Sequence, residues 1–484
     1  MNTLATAFST NIPARMDRMP WTRFHWLVVF ALGITWILDG LEVTLTGAIS
    51  GVLEDPRTLG FSPAEIGILG SAYVAGAVSG SLVFGHLTDL WGRKRLFFIT
   101  LAVYLVGVGL SAFSWDIWSF ALFRFLTGAG IGGEYAAINS AVDELIPARV
   151  RGRVDLIING TYWIGAALGS LSTLLILDPA VFSINIGWRV GFAAGAMLGL
   201  IILCLRGLVP ESPRWLLLRG RVEEAESIVQ SIEKTAEAKL GCALEAPEKS
   251  LHMTPGKPPT FKVIFHAMFH EHRRSSILGL SLMASQAFLY NAIFFTYALV
   301  LTRFYEIPAK DTGLYLLPFA LGNFMGPVLL GHWFDTIGRR VMISLTYTIS
   351  GILLAITGYL FAQGMLSAYT QTALWTVIFF FASAAASSAY LTVSEIFPLE
   401  IRALAIALFF ALGTGIGGIL APSLFGVLIG TGSRVAIFYG YGFAALLMIA
   451  AATVEWLLGL DCEQKSLEDI ARPLSCRKPE GVPA

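Results

Sequence analysis

The chain has 484 residues, of which 55% are hydrophobic and only 14% are charged, and its mean hydropathy is +0.69. A soluble domain carries roughly 25% charged residues, so this composition excludes a soluble globular protein and indicates an integral membrane protein. The 33 basic and 33 acidic residues cancel, which leaves no net positive charge for a nucleic acid partner.

Apolar runs of roughly 20 residues predict membrane-spanning helices. They lie at residues 25–51, 64–88, 96–114, 117–141, 154–177 and 188–208, and then at residues 276–302, 311–334, 341–362, 372–394, 401–430 and 434–459. The first run is too long for the core of a cleavable signal peptide. The sequence therefore predicts an all-α integral membrane protein with twelve transmembrane helices.

The predicted spans divide the chain into five segments. These are a cytoplasmic N-terminal segment (1–24), a first six-helix bundle (25–208), a cytoplasmic loop (209–274), a second six-helix bundle (275–460) and a cytoplasmic tail (461–484). In the loop, the spacing of Val222, Val229 and Ile232 predicts an amphipathic helix on the cytoplasmic surface, and the polar tail is expected to be loosely ordered. Lys and Arg are concentrated in alternate loops, which places both termini in the cytoplasm.

A short charged segment occurs twice in the chain. Residues 85–95 (GHLTDLWGRKR) return as residues 331–340 (GHWFDTIGRR), and 331 minus 85 is 246. A glutamate followed seven residues later by an arginine also repeats, at an offset of 251, as Glu144 with Arg151 and Glu395 with Arg402. Two separate signatures at nearly one offset indicate two pseudo-symmetric six-helix bundles.

The repeated charges suggest a gate where the two bundles meet the cytoplasm. An acid in this position can pair with an arginine or with a helix N-terminus of the opposite half, and such contacts would break on opening. We expect pairs between Asp335 and Arg339, between Glu144 and Arg151, and between Glu395 and Arg402. The predicted cytoplasmic gate comprises Asp89, Arg93, Glu144, Arg151, Asp335, Arg339, Glu395 and Arg402. The alternative is that these charges only set the topology.

These motifs resemble those of the major facilitator superfamily of secondary transporters. Its pattern Gly-x-x-x-Asp-x-x-Gly-Arg-Lys/Arg is matched by residues 85–94 and 331–340, and residues 124–130 (RFLTGAG) resemble its fourth-helix arginine motif. Residues 210–215 (PESPRW) are similar to the sugar-porter branch, whereas residues 39–42 (DGLE) are similar to bacterial metabolite–proton symporters. The resemblance implies the fold of that superfamily and alternating access around a central site.

Acids inside the predicted spans are candidates for proton coupling. At about 1.5 Å per residue, Asp39 lies roughly 20 Å into the membrane, and Glu42 is on the same helix face. A charge at that depth costs about 3 kcal/mol or more, so both acids should face a cavity or a partner. Glu134, which follows a run of glycines, is a third candidate. The alternatives are substrate contact or a structural hydrogen bond to a neighbouring helix.

Polar and aromatic residues in the spans are candidates for substrate binding. Arg124 should lie at the depth of Glu42, where a pair could act as a coupling switch, as a dock for a substrate carboxylate or as a static salt bridge. The other candidates are amides and aromatic residues, namely Asn159, Tyr162 and Trp163 in span five and Gln286, Tyr290 and Asn291 in span seven. Ordinary packing between helices is the alternative for each of them.

The sequence predicts a secondary active transporter that moves a small organic metabolite by alternating access, as a proton symporter. The alternatives are a proton-independent uniporter for a sugar-like substrate and a non-transporting membrane receptor. The sequence shows no nucleotide-binding glycine loop, nucleophile elbow or metal-ligand cluster, so no enzyme activity, cofactor or metal is expected. The expected partners are the substrate, protons and membrane lipid. The expected state is a monomer in a cell membrane, of the bacterial inner-membrane kind.

Overall fold

The computed structural model describes residues 8–207, 209–245, 247, 249–253, 261–294, 296–307 and 312–475. The first half consists of β1 (Phe8–Thr10), α1 (Ile12–Asp17), α2 (Arg23–Leu53), α3 (Pro63–Trp91), α4 (Arg93–Ser111), α5 (Ile117–Leu145), α6 (Arg151–Gly160), α7 (Tyr162–Ile176) and α8 (Ile184–Arg206). A 3-10 turn, Ala148–Val150, leads into α6.

The central stretch contains α9 (Pro213–Leu218), α10 (Val222–Leu240), β2 (Leu251–Met253), α11 (Phe261–His266) and a π-helical turn (Ala267–Glu271). The second half consists of α12 (Arg273–Phe294), α13 (Tyr297–Tyr305), α14 (Thr312–Thr336), α15 (Arg339–Ala362), α16 (Ala368–Ile396), α17 (Arg402–Gly430), α18 (Arg434–Leu458) and α19 (Leu467–Ile470).

Among the described residues, nine helices are long and apolar enough to cross a membrane, namely α2, α3, α4, α8, α12, α14, α15, α16 and α18. Two of the other three spans are less uniform, because helix α5 carries charged residues along its length and span five is divided between α6 and α7. Helix α17 runs from Arg402 to Gly430. The molecule is an all-α integral membrane protein with the twelve-helix fold of two pseudo-symmetric six-helix bundles.

A glycine makes the same turn in each half. Gly92, with a φ of 95°, separates α3 from α4, and Gly338, with a φ of 122°, separates α14 from α15. Only glycine adopts such backbone angles at low cost. The sharp turn keeps the acid at the end of one helix close to the arginine that begins the next.

The two halves meet along two seams. Helices α3 and α5 of the first half pack against α17 of the second half, and α6 and α7 pack against α14. Near one end of the molecule, α6 also packs against α16. The ends of α5, α6, α16 and α17 therefore come together there, which is where the repeated charges lie.

The central stretch packs against the beginning of the chain. Strand β1 pairs with β2 in an antiparallel arrangement, with Phe8 opposite Met253. The apolar face of α10, including Val229 and Ile232, is buried in one cluster with Ile12 of α1.

The first part of the tail, residues 461–475, is packed against the repeated charges. Glu463 accepts the backbone N–H of Arg339 at 3.3 Å, and Gln464 donates to the backbone carbonyl of Asp335 at 2.8 Å. The expectation of a loosely ordered tail is wrong for these residues, because they supply hydrogen-bond partners to the end of α14 and the start of α15. Residues 476–484 lie outside the described residues.

Candidate functional site

Asp39 lies near the middle of α2, and only 1% of its surface is exposed. Two tyrosine hydroxyls donate hydrogen bonds to its carboxyl group, Tyr73 of α3 at 3.2 Å and Tyr135 of α5 at 2.5 Å. Either a neutral or an ionised carboxyl group can accept such bonds. Three helices of the first half therefore form a pocket that can hold Asp39 in both protonation states.

Glu42 lies one turn further along α2 and forms a buried ion pair with Arg124 of α5. The guanidinium carbon of Arg124 is 4.6 Å from the centre of the Tyr73 ring, a cation–π geometry. Tyr73 thus contacts both sites, because its hydroxyl donates to Asp39 and its ring lies against Arg124. The two acidic positions of α2 are linked through this one side chain.

Glu134, the third acid predicted for proton coupling, precedes Tyr135 on α5 and is 1% exposed. The negative charges of Glu134 and Glu42 both act on the carboxyl group of Asp39. The structure brings Glu42 and Glu134 within electrostatic reach of Asp39, and all three acids belong to the first half.

Aromatic side chains of both halves surround the Asp39 pocket. Trp36 and Tyr135 are stacked with ring centres 4.6 Å apart, and Phe410 of α17 meets Tyr135 edge-on at 4.8 Å. The ring centre of Tyr390, on α16, lies 6.3 Å from that of Trp36. The two halves are therefore in aromatic contact beside Asp39. These residues and Tyr73 were not predicted from the sequence, because isolated aromatic residues in apolar spans are usually packing residues.

A second aromatic cluster joins α7 to the second half. Trp163 is 5% exposed, and its ring centre lies 5.4 Å from that of Phe294 and 5.3 Å from that of Phe319. The Tyr290 ring lies 6.0 Å from Trp163, and its hydroxyl donates to Asn323 of α14 at 2.8 Å. The predicted substrate-binding residues Trp163 and Tyr290 thus lie together at the interface between the halves.

Three other predicted substrate-binding residues lie on the same two helices. Tyr162 packs edge-on against Trp163 at 5.3 Å between ring centres. The amide of Gln286 contacts the sulfur of Met283 at 4.0 Å, and that of Asn291 donates to the backbone carbonyl one turn earlier at 2.6 Å. Neither amide group makes a hydrogen bond to the first half among the described residues.

Asn159 lies near the end of α6, away from the repeated charges at the start of that helix. Its amide donates to the side-chain oxygen of Asn139 and to the carboxyl group of Asp155, each at 3.2 Å. Asn139 in turn donates to the backbone carbonyl of Tyr135 at 2.8 Å. The structure places Asn159 in a buried polar row between α5 and α6 and not beside the Arg124 pair.

The predicted gate residues assemble at one end of the molecule, and we call them the charged gate. In the first half, Arg93 donates to Glu144 at 2.7 Å and lies 3.4 Å from Asp89. Asp89 accepts the backbone N–H of Leu404, at the start of α17, at 3.0 Å. Arg402 also reaches the Glu144 carboxylate, at 3.7 Å.

The second half repeats this arrangement. Arg339 donates to Asp335 at 2.8 Å and to Glu395 at 3.1 Å. The Asp335 carboxylate accepts the backbone N–H groups of residues 152–153, at the start of α6, at 3.1 and 2.8 Å. Arg151 approaches Glu395 at 3.6 Å. In both halves, an aspartate therefore caps the first turn of a helix from the opposite half.

The glutamates of the charged gate pair across the halves. The spacing predicted pairs of Glu144 with Arg151 and of Glu395 with Arg402, but Glu144 contacts Arg402, and Glu395 contacts Arg151. The prediction was wrong because α6 packs against α16, and α17 against α5, so each helix start faces the other half. These exchanged pairs hold the two halves together at the gate end.

Residues 210–215 fasten the central stretch to the charged gate. The Glu211 carboxylate accepts the backbone N–H groups of Arg93 and Lys94 at 2.9 and 3.2 Å, which caps the start of α4. Burial raises the pKa of Glu211. Arg214 donates to the backbone carbonyl of Glu144 at 2.7 Å and pairs with Asp17 at 3.0 Å.

Two buried acids beside the charged gate were not predicted from the sequence. Asp143 and Asp155 are both 0% exposed, and the charges of Asp143 and Glu395 act on Asp155. Asp143 directly precedes Glu144 in the chain, which was the available signal for its place in the gate.

Known proteins resemble this chain over most of its length. It is 26% identical over 466 residues to the niacin transporter NiaP of Acinetobacter baylyi, covering 95% of this chain and 99% of that protein. It is 29% identical over 398 residues to myo-inositol transporter 2 of Schizosaccharomyces pombe, covering 78% and 70%. These relatives are named for chemically different substrates.

The fold has a close counterpart among solved structures. The proton:xylose symporter XylE bound to 6-bromo-6-deoxy-D-glucose superimposes with a TM-score of 0.76 at 19% identity, covering 92% of this chain and 98% of that chain. Residues 43–473 match the family described as "Sugar (and other) transporter". The protein is therefore a membrane transporter and not an enzyme. It belongs to the sugar (and other) transporter family of the major facilitator superfamily.

Proposed function

We propose that the protein is a proton symporter that carries a small organic metabolite by alternating access. The observation that supports this proposal is the Asp39 pocket, where a buried acid in the middle of α2 accepts hydrogen bonds from Tyr73 and Tyr135. An acid that is 1% exposed within a span is costly to keep ionised. Such an acid is suited to take a proton before the site closes and to release it when water returns.

Tyr135 is the proposed link between the proton and the substrate. Its hydroxyl donates to Asp39, and its ring contacts Phe410 of the second half. Charging or neutralising Asp39 changes the strength of that hydrogen bond and so acts on a side chain at the interface that moves in alternating access. The Glu42–Arg124 pair offers a second control, because protonation of Glu42 would free Arg124 for a carboxylate of the substrate.

We propose that the end with the charged gate faces the cytoplasm. Basic residues are concentrated there, as in cytoplasmic loops of membrane proteins, whereas the described loop after α2 at the other end contains Arg57 as its basic residue. Contacts between the halves join them at the charged gate, and these contacts support a closed state on that side of the Asp39 pocket.

The proposed substrate is a small planar aromatic metabolite, and niacin is the first compound to test. Two aromatic clusters with residues of both halves lie near the middle of the spans, one around Trp36 and Tyr135 and one around Trp163 and Tyr290. Aromatic walls favour a flat ring, and the few polar groups among them would orient it. A relative covered over 99% of its length is named as a niacin transporter.

The test is to record internal pH in right-side-out vesicles from cells that express the protein, while labelled niacin, xylose or myo-inositol is added outside. Acidification and uptake with niacin, both lost in Asp39→Asn, would support the proposal. The matched control is Asp55→Asn, which removes an acid that pairs with Arg57 in the loop after α2. This control should leave both signals unchanged.

Other outcomes identify which part of the proposal fails. Acidification with xylose or myo-inositol and not with niacin would retain proton symport and overturn the aromatic substrate. Uptake without a change of internal pH would indicate a uniporter and leave Asp39 as a binding or structural residue. Internal alkalinisation would indicate proton antiport.

A further inference from the structure

Two buried acids break the symmetry of the charged gate. At the offset of 251 that relates Glu144 to Glu395, Asp143 corresponds to Ser394 and Asp155 corresponds to Ile406. All four of these side chains are 0% exposed. The second half therefore closes its side of the gate with a serine and an isoleucine where the first half buries two carboxyl groups.

The arginines of the charged gate already have acidic partners. The pairs are Arg93 with Glu144, Arg402 with Glu144, Arg339 with Asp335 and Glu395, and Arg151 with Glu395 and Asp17. Among the described residues, no basic side chain forms an ion pair with Asp143 or Asp155. The acids that repeat in both halves are equal in number to the repeated arginines. Asp143 and Asp155 are additional to them, and we call these two residues the surplus acids.

Several charged and polar groups face the surplus acids. They are Glu395, Arg151, Arg402 and Ser394 around Asp143, and Asp143, Glu395, Arg339 and Asn159 around Asp155. The Ser394 hydroxyl beside Asp143 also lies 2.8 Å from the backbone carbonyl of Leu391, to which it donates. Each acid thus has another acid as well as arginines close to it.

The surplus acids have few hydrogen-bond donors. The Asn159 amide donates to one oxygen of Asp155 at 3.2 Å. The second oxygen of Asp155 and both oxygens of Asp143 are fully buried, and none accepts a well-formed hydrogen bond from a described residue. A fully buried carboxylate that forms no ion pair and has few hydrogen-bond donors is disfavoured against its protonated form. The closed gate therefore favours a proton on this pair.

We propose that Asp143 and Asp155 form a proton-binding site within the charged gate, which holds a proton while the gate is closed and releases it to the gate-side solution on opening. When the halves separate, water reaches the pair and the carboxylates can ionise. Binding and release take place on the same side, so this proton is not carried across the membrane. The site is separate from Asp39 and would exist in a uniporter as well as in a symporter.

This site makes opening of the gate depend on pH. Because the closed form binds more protons than the open form, low pH on the gate side stabilises the closed form and high pH favours opening. If one proton is released per opening, the ratio of open to closed molecules rises about tenfold per pH unit between the two proton affinities. Acidification of the gate side would therefore slow a transporter that must open there.

The test measures the distance across the gate with two spin labels. Arg95 and Val341 are exposed, occupy equivalent positions at an offset of 246, and lie at the gate ends of α4 and α15. Labels at cysteines in these positions, in the full chain with the four native cysteines replaced, report the open and closed populations in liposomes as pH is raised. With Asp143 and Asp155 intact, we expect the open population to grow as pH is raised.

Two double variants remove the site in different ways. Asp143→Asn with Asp155→Asn mimics the protonated pair and should keep the gate closed at every pH. Asp143→Ser with Asp155→Ile copies the buried residues of the second half and should remove the pH response even if the amide pair folds poorly. Asp55→Asn is the control, because Asp55 pairs with Arg57 in the loop after α2, and it should keep the response of the parent protein.

The proposal has clear ways to fail. It is overturned if the distance distribution of the parent protein does not change with pH, or if both double variants respond to pH as the parent does. The second result would assign the response to another gate acid, such as Asp89. Asp39→Asn should keep the pH response of the gate, so failure of the symport proposal and failure of this one are distinguishable.

Discussion

At the charged gate, Asp89, Arg93, Glu144 and Arg151 of the first half have the counterparts Asp335, Arg339, Glu395 and Arg402 in the second half, and the contacts repeat with them. In the middle of the spans the halves differ. At the offset of 251, Arg124 corresponds to Trp375 and Glu134 corresponds to Ala385. The acids and the arginine around Asp39 belong to the first half alone, whereas α12 and α14 of the second half contribute amides and aromatic rings.

The difference separates two physical demands. A gate that closes by rocking two related bundles needs matching contacts on both seams, because each helix start must meet its cap in the opposite half. Proton chemistry needs a single acid in a controlled environment, and a second copy would add the cost of another buried charge. Apart from Asp143 and Asp155, symmetry is therefore kept where the halves must fit each other, and it is lost around Asp39, the proposed proton site.

Removal of Arg124 should give the largest loss of stability, because it breaks a buried ion pair that has no counterpart in the second half. Arg124→Gln leaves Glu42 as a buried acid without its counterion, which costs about 3–5 kcal/mol of unfolding free energy. The measurement is thermal unfolding of the purified protein in detergent. Adding Glu42→Gln should restore much of the loss, whereas a double variant no more stable than Arg124→Gln would contradict the ion-pair argument.

Truncation of the gate aspartates should have effects in the same direction in the two halves. Asp89→Ala and Asp335→Ala each remove a carboxylate that accepts backbone N–H groups of the opposite half. A hydrogen bond to a charged group contributes about 1.5–3 kcal/mol, so each variant should shift the gate toward opening. The spin-label distance between positions 95 and 341 measures this shift, and opening in one variant only would show that the seams are not equivalent.

Substitutions at the two glycine turns should destabilise the protein by different amounts. Gly92 and Gly338 have φ values of 95° and 122°, so an alanine at either position costs about 1–3 kcal/mol in backbone strain. A Cβ on Gly92 would also overlap the Glu211 carboxylate, whereas a Cβ on Gly338 would contact Glu463 at an ordinary 3.4 Å. Gly92→Ala should therefore lower the unfolding temperature more than Gly338→Ala, and equal losses would remove Glu211 from the explanation.

The fold and the grouping of the repeated charges were largely predictable from the sequence, because they depend on the length of apolar runs and on a repeat. Whether these charges act as a gate stays a prediction. The apolar runs and the repeat could not fix the exchange of partners between Glu144 and Glu395, because that exchange depends on how helices of opposite halves pack. The tyrosines at Asp39 were not predictable either, since nothing in a sequence distinguishes a packing aromatic from one that donates to an acid on another helix.

The smallest expected effect concerns the segments that pack over the gate end. The first half is covered by the N-terminal segment, and the second half is covered by the tail. Arg15 and Arg18 donate to Glu233 of α10 at 2.5 and 2.6 Å. Burial acts to raise the pKa of Glu233, but these hydrogen bonds and charges outweigh it and hold the pKa below its usual value. The contact therefore stabilises the N-terminal segment above the ordinary glutamate pKa, and this contribution is lost as pH falls through the lowered value.

A spin label at Ser9, which is exposed on β1, reports this contact through its mobility. We expect the label to be immobilised at neutral pH and to gain mobility in acid, and to be mobile at neutral pH in Glu233→Gln. The control on the same helix is Glu224→Gln, which removes a partly exposed acid that pairs with Arg221. If Glu233→Gln keeps the label immobilised with an unchanged pH profile, β1 is held by its pairing with β2 and by the apolar cluster of α1 and α10. Neither the N-terminal segment nor the tail would then depend on the ion pair with Glu233 for its place over the gate end.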